Sequence, residues 1–364
     1  MKWSWKIAEV RGIAVFVHAT FFILLAYIGF MYWSQSQNVA TTIEGVGFIV
    51  AIFFCVLLHE FGHALAAARY GIKTRDITLL PIGGLARLER MPDKPVQELW
   101  VALAGPAVNV VISALLFAWL AVSATLEPWD KMGVTSGSFL QRLMVVNVFL
   151  AVFNMLPAFP MDGGRVLRAL LATRMDYVTA TQVAATVGQG MALIFGLMGL
   201  LGEFSPMLVF IALFVWIGAQ QEASLAQMKG ALAGIPVAAA MVSDFRTLHP
   251  HDTLGQATQE ILAGSQQDFP VVEGDEIVGI LTRNRLLMAL ANQGFDGLVA
   301  DAMEREFQTV DMNDMLEMAF QRMEACECHT MPVIRLGSLV GLLTAENVGE
   351  LIAIRSALGA RNRA

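Results

Sequence analysis

Apolar and polar positions divide the chain into two parts. Between residues 13 and 222, long apolar runs nearly free of charge follow one another. From about residue 236 onward, short apolar stretches alternate with charged and polar residues, as in a water-exposed domain. Six runs are predicted to form membrane helices, at roughly 13–34, 44–68, 97–122, 139–157, 178–201 and 206–222. About 20 apolar residues in a helix cross about 30 Å of hydrocarbon. The run at 139–157 is the least regular, because it meets Pro157 and Pro160. The basic start followed by an apolar run has the look of a secretion signal. The run is about 20 residues long and no small-x-small cleavage site follows it, so a retained helix is expected.

The C-terminal part contains an internal repeat at a constant offset of 62 residues. Met241 matches Met303 and Thr247 matches Thr309. Phe269-Pro270-Val271-Val272 matches Met331-Pro332-Val333-Ile334, and Gly279-Ile280-Leu281-Thr282 matches Gly341-Leu342-Leu343-Thr344. Each unit reads as helix, strand, tight turn, strand, helix. The expected fold is therefore a multi-pass α-helical membrane protein of about six transmembrane helices with a C-terminal α/β domain. The expected boundaries are 1–230 for the membrane part, 235–300 for the first repeat and 301–358 for the second.

Composition agrees with that division. Of 364 residues, 56% are hydrophobic and 15% charged, against about 45–50% and about 25% in soluble domains. The net charge is -7, and no basic stripe marks a nucleic-acid surface, so nucleic acid is not an expected partner. Lys2, Lys6 and Arg11, the basic residues of 69–96, and Arg165, Arg168 and Arg174 all fall on one side when six segments are threaded. Positive residues favour the cytoplasmic face, which puts the N-terminus and the C-terminal domain in the cytoplasm of a multi-pass cell-membrane protein. Cys55 reads as a small buried hydrophobe. Cys326 and Cys328, followed by His329, lack a second half-site for a metal, and no disulfide framework is apparent.

Chemistry is concentrated in His59-Glu60-Phe61-Gly62-His63. Histidines four apart on a helix share one face and can share a metal, and the adjacent glutamate can act on water. With 6 His and 31 acidic residues in the chain, the pattern arises by chance less than about 0.01 times per chain. Ionisable groups at the end of an apolar run are costly in lipid and point to function. Catalytic zinc takes three protein ligands and keeps one position open. The best candidate for the third is Asp162, in Asn154-Met155-Leu156-Pro157-Ala158-Phe159-Pro160-Met161-Asp162-Gly163-Gly164. Irregular backbone at membrane depth is tolerated where it is buried or lines a polar cavity. A plain Asp-Gly turn at the surface is the other reading of that stretch.

Together with Gly105-Pro106-Ala107-Val108-Asn109, these motifs resemble the site-2 protease family of intramembrane metalloproteases, over essentially the whole membrane part. The resemblance implies one zinc held by His59, His63 and Asp162, Glu60 as general base, and Asn154 beside the scissile carbonyl. It implies a transmembrane protein substrate in the lipid bilayer. Asn109 lies in a motif that packs near the family's site. His18 carries either a gating or supporting role or a packing role. Residues 77–88 are similar to the family's membrane-associated β-hairpin, whose edge can take up substrate as a strand. Residues 123–138 are too short for the PDZ-like insert of some members.

The 62-residue repeat resembles a tandem CBS (cystathionine-β-synthase-type) pair, a module that binds adenine nucleotides in its clefts or pairs into homodimers. Thr282 and Thr344 match the family's nucleotide-contacting threonines. Arg285 and Asn347 stand where an acid normally holds the ribose. Nucleotide binding and a purely structural or dimerising role therefore both stay open. Two other classes also fit six segments and a cytoplasmic module: a CBS-regulated transporter or channel, and an inactive membrane scaffold.

Overall fold

The computed structural model describes residues 3–361 except 82, 90, 91, 93, 127–132, 134–136, 203 and 327. Lys2, Ile82, Arg90, Lys131 and most of the loop at 123–138 thus lie outside the described residues. Two compact units are present, Met1–Ala226 and Gln227–Ala364.

The first unit opens with strands β1 (Ser4–Val10) and β2 (Ile13–His18). Arg11 at φ 52 and Gly12 at φ 81 turn between them. Two successive positive φ values make the mirror-image turn that matches strand twist. Helix α1 (Ala19–Ser36) and helix α2 (Val39–Ala68) then lead to β3 (Thr74–Leu80) and β4 (Gly83–Leu88). The sheet runs β1-β2-β3-β4, with β2 and β3 parallel and the outer pairs antiparallel. Its inner face sets Ile13 and Ile77 on Ala64 of α2, and Val17 and Leu79 beside Phe53. The sheet is thereby fastened along the half of α2 that carries the histidines.

This corrects the expected first segment. Ile13, Val15 and Val17 alternate buried with half-buried neighbours, which is a strand pattern. The helix starts only at Ala19. His18 caps it, its side chain accepting from the Thr20 N–H at 3.3 Å.

Helices α3 (Pro95–Val122), α4 (Phe139–Asn154), α5 (Asp162–Leu171), α6 (Tyr177–Leu201) and α7 (Pro206–Leu232) follow. Among the described residues, α2, α3, α6 and α7 are the four helices long and apolar enough to cross a membrane. Helix α1 has 18 residues and α4 has 16. Helix α4 stops at Asn154, ahead of Pro157. Gly62 lets α2 meet α3 closely, since a Cβ there would stand 2.7 Å from the Ala104 carbonyl oxygen.

The second unit is two copies of one design. The first has α8 (Leu254–Ala263), β5 (Phe269–Glu273), β6 (Glu276–Leu281) and α9 (Arg283–Gln293). A one-turn helix, α10 (Val299–Ala302), leads to the second copy, with β7 (Val310–Asp311), α11 (Leu316–Cys326), β8 (Thr330–Arg335), β9 (Ser338–Thr344) and α12 (Ala345–Arg361). The cores correspond at the repeat offset: Leu254, Ala257, Phe269, Val271 and Leu281 in one, Leu316, Ala319, Met331, Val333 and Leu343 in the other. The copies also exchange segments. Val242 bridges to Leu342, and Glu304 bridges to Ile280. Each copy completes the other's sheet, which makes the pair one module. Cys326 and Cys328 are joined by a disulfide, which the sequence did not lead us to expect.

Candidate metal centre

Four helices build the centre. Helix α2 supplies His59 and His63, one turn apart and both buried. Helix α5 supplies Asp162 as its first residue, also buried. His59 Nε2 and His63 Nε2 are 3.1 Å apart, and Asp162 Oδ2 lies 3.1 Å and 3.2 Å from them. Ligands on a tetrahedral zinc with bonds of about 2.0–2.1 Å stand about 3.3–3.4 Å from each other. The triangle therefore matches a zinc site, and among the described residues it is the only such group of three or more His, Cys, Asp or Glu side chains.

The far nitrogens show what the near ones can do. His59 Nδ1 meets Asn109 Oδ1 at 2.6 Å, and His63 Nδ1 meets the Val101 carbonyl at 2.7 Å. Both partners are acceptors, so each ring donates its Nδ1–H and turns an Nε2 lone pair inward. Two lone pairs and a carboxylate oxygen at such spacing repel unless a cation stands among them. A metal takes Asp162 as its carboxylate.

Helix α3 supplies the outer partners and the space. A Cβ on Gly105 would collide with His63 Nε2 and stand 2.7 Å from His59 Nε2. Only glycine leaves room for both rings. Helix α4 supplies Asn147, whose Oδ1 accepts from Asn109 Nδ2 at 2.8 Å. Sequence reasoning missed Asn147 and the Val101 carbonyl. A lone asparagine inside an apolar run was the available signal for the first. A backbone carbonyl leaves no trace in sequence.

Glu60 is half-buried and faces β4: a Cβ on Gly84 would stand 2.6 Å from Glu60 Cγ. Its carboxylate makes no hydrogen bond with a described residue. Asn154, half-buried, is the last residue of α4. A second buried cluster holds the α5 helix in place. Arg168 donates from Nε to Glu98 Oε1 of α3 at 2.8 Å and from Nη1 to Glu222 Oε2 of α7 at 2.9 Å. Its guanidinium also lies 5.0 Å from the ring centres of Phe159 and Tyr177. Neither Arg168 nor its partners stood out as a cluster in sequence, because they come from α3, α5, α6, α7 and the segment before α5.

In the C-terminal unit, Thr282 and Thr344 line a cleft of about 750 Å³ together with Asp268, Arg285 and Glu304. Both hydroxyls cap helices: Thr282 Oγ1 accepts from the Arg285 N–H at 3.3 Å and Thr344 Oγ1 from the Asn347 N–H at 3.1 Å. Arg285, at the position expected to be acidic, donates from Nε to Glu304 Oε1 at 2.8 Å.

Comparison with known proteins agrees with both units. Residues 47–136 and 130–197 match the family model for peptidase family M50, and residues 237–292 and 299–353 match that for the CBS domain. A zinc metalloprotease of Methanocaldococcus jannaschii is 29% identical over 355 residues, 97% of each chain. A CBS domain-containing protein of Bacillus subtilis is 28% identical over 105 residues, 28% of this chain and 75% of that one. The solved site-2 protease from Methanocaldococcus jannaschii is 35% identical and spans 61% of this chain and 95% of its own, with a TM-score of 0.45. By its two family matches and its full-length relative, the chain belongs to peptidase family M50, the site-2 protease family, and carries a C-terminal tandem pair of CBS domains.

Proposed function

We propose that this protein is an intramembrane zinc endopeptidase, cutting a peptide bond in or near a transmembrane segment of another membrane protein. Residues 1–230 form its protease domain, and repeats 235–300 and 301–358 form its regulatory or dimerising module. The observation that carries the reading is the convergence of His59 Nε2, His63 Nε2 and Asp162 Oδ2 within 4.8 Å of one another, beside Glu60.

His59, His63 and Asp162 would hold the zinc, which when bound would supply Lewis acidity to water and to the scissile carbonyl. Glu60, next in chain to His59, takes the proton of the attacking water and returns it to the leaving amine. Asn154 donates from its amide to the carbonyl oxygen as charge develops there. A helical substrate hides its peptide groups in its own hydrogen bonds and has to unwind before it is cut. The outer edge of β4, which pairs only with β3 among the described strands, receives the unwound segment as an added strand. Gly84 sits in that strand against Glu60, so the added segment passes the base.

The N-terminus and the CBS pair lie in the cytoplasm. An adenine nucleotide at Thr282 and Thr344 is the ligand to test there, with a homodimer through the pair as the other role. Titration of the full chain with AMP and ATP separates them: saturable heat supports the nucleotide, and none at millimolar concentration leaves the structural role.

The decisive experiment for catalysis uses the full chain in liposomes with transmembrane reporter proteins and mass spectrometry of the products. The wild type is expected to release fragments cut within or next to the membrane segment. Glu60→Gln is expected to retain zinc and lose about 10²–10⁴-fold in rate. Cleavage at the wild-type rate by Glu60→Gln would remove Glu60 from the mechanism.

A further inference from the structure

A side-chain amide has an acceptor end and a donor end of almost the same shape, and only its hydrogen bonds decide which way it faces. The end that Asn109 turns toward His59 decides the tautomer of that ring. Oxygen keeps the proton on Nδ1 and leaves Nε2 free for a metal. Nitrogen would move the proton to Nε2, into the metal's place. Asn109 cannot make this choice alone.

We propose that Asn147 is a positioning residue for the metal centre, pinning Asn109 so that His59 keeps the metal-binding tautomer. The inference rests on the zinc reading above. The chain of donors runs one way and ends on a group that cannot flip. Asn147 Nδ2 donates to the Leu143 carbonyl at 2.9 Å. That fixes Asn147 Oδ1 as the end that accepts Asn109 Nδ2 at 2.8 Å. Asn109 Oδ1 is then the end that meets His59 Nδ1 at 2.6 Å.

Asn109 and Asn147 are both 0% exposed, so water does not compete for these bonds. The two histidines are held differently. His63 rests directly on a backbone carbonyl, that of Val101, and needs no relay. The tautomer of His59 depends on side chains from two other helices, α3 and α4. Outer partners of metal-bound histidines are worth about 10- to 100-fold in metal affinity.

The test is a double-mutant cycle on the detergent-purified full chain. It reads zinc affinity by chelator competition and the visible absorption of the cobalt-substituted protein. Asn147→Leu is expected to weaken zinc about 10- to 100-fold and to shift the cobalt bands. An Asn109→Asp background offers His59 two equivalent acceptor oxygens, so orientation no longer matters. In that background Asn147→Leu is expected to change zinc affinity less than about twofold. A merely structural asparagine would not be rescued in this way. Where Asn147→Leu does not fold, Asn147→Ala gives the same pair of readings. Wild-type affinity and bands in the single variant overturn the proposal, and so does an equal loss in both backgrounds. A wild type that holds no zinc overturns the metal reading instead.

Discussion

The two units carry their information differently. The membrane unit has one candidate metal centre, assembled from residues of α2, α3, α4 and α5, with no second copy of it among the described residues. The C-terminal unit is one design used twice, in which Leu254 and Leu316 or Phe269 and Met331 do the same work in two copies. A singular site fails as a whole when any part is removed. A duplicated module distributes its stability over equivalent positions.

Five substitutions sharpen that contrast, from the largest effect to the smallest. Gly105→Ala puts a methyl group onto both metal-facing nitrogens. It is expected to abolish zinc binding, measured as metal per chain, while thermal unfolding of the CBS pair stays as in the wild type. Arg168→Met leaves Glu98 buried without its cation. Breaking a buried ion pair from one side costs about 3–5 kcal/mol. A drop of that order is expected in the denaturation of the membrane unit, with zinc weakened because Asp162 shares α5 with Arg168.

In the repeats, Leu254→Ala and Leu316→Ala each remove a fully buried leucine. Each is expected to cost about 2–5 kcal/mol, and to cost the same within error. Clearly unequal losses would end the view of the two copies as equivalent. Thr282→Ala removes a helix cap and is expected to cost about 1 kcal/mol in the same unfolding measurement.

Legibility in sequence followed this division. The repeat was readable because its period is carried by apolar positions that recur at one offset. The candidate ligands His59 and His63, one helix turn apart, were readable from spacing, and the candidate Asp162 from its place in a proline-broken segment. The β1–β2 hairpin was not, because Ile13–Val17 is apolar throughout and only His18 separates it from the apolar α1. Its two-residue period is visible only once α2 is there to bury one face. The Asn147 relay and the Arg168 cluster were hidden for another reason. Their members come from elements far apart in the chain, and only packing brings them together.

The central claim is that His59, His63 and Asp162 form one zinc site. Zinc per chain, measured on detergent-purified wild type and on Asp162→Ala, tests it without any knowledge of the substrate. The account predicts close to one zinc in the wild type and a clear loss in the variant. No zinc in a folded wild type, or undiminished zinc in Asp162→Ala, would contradict it.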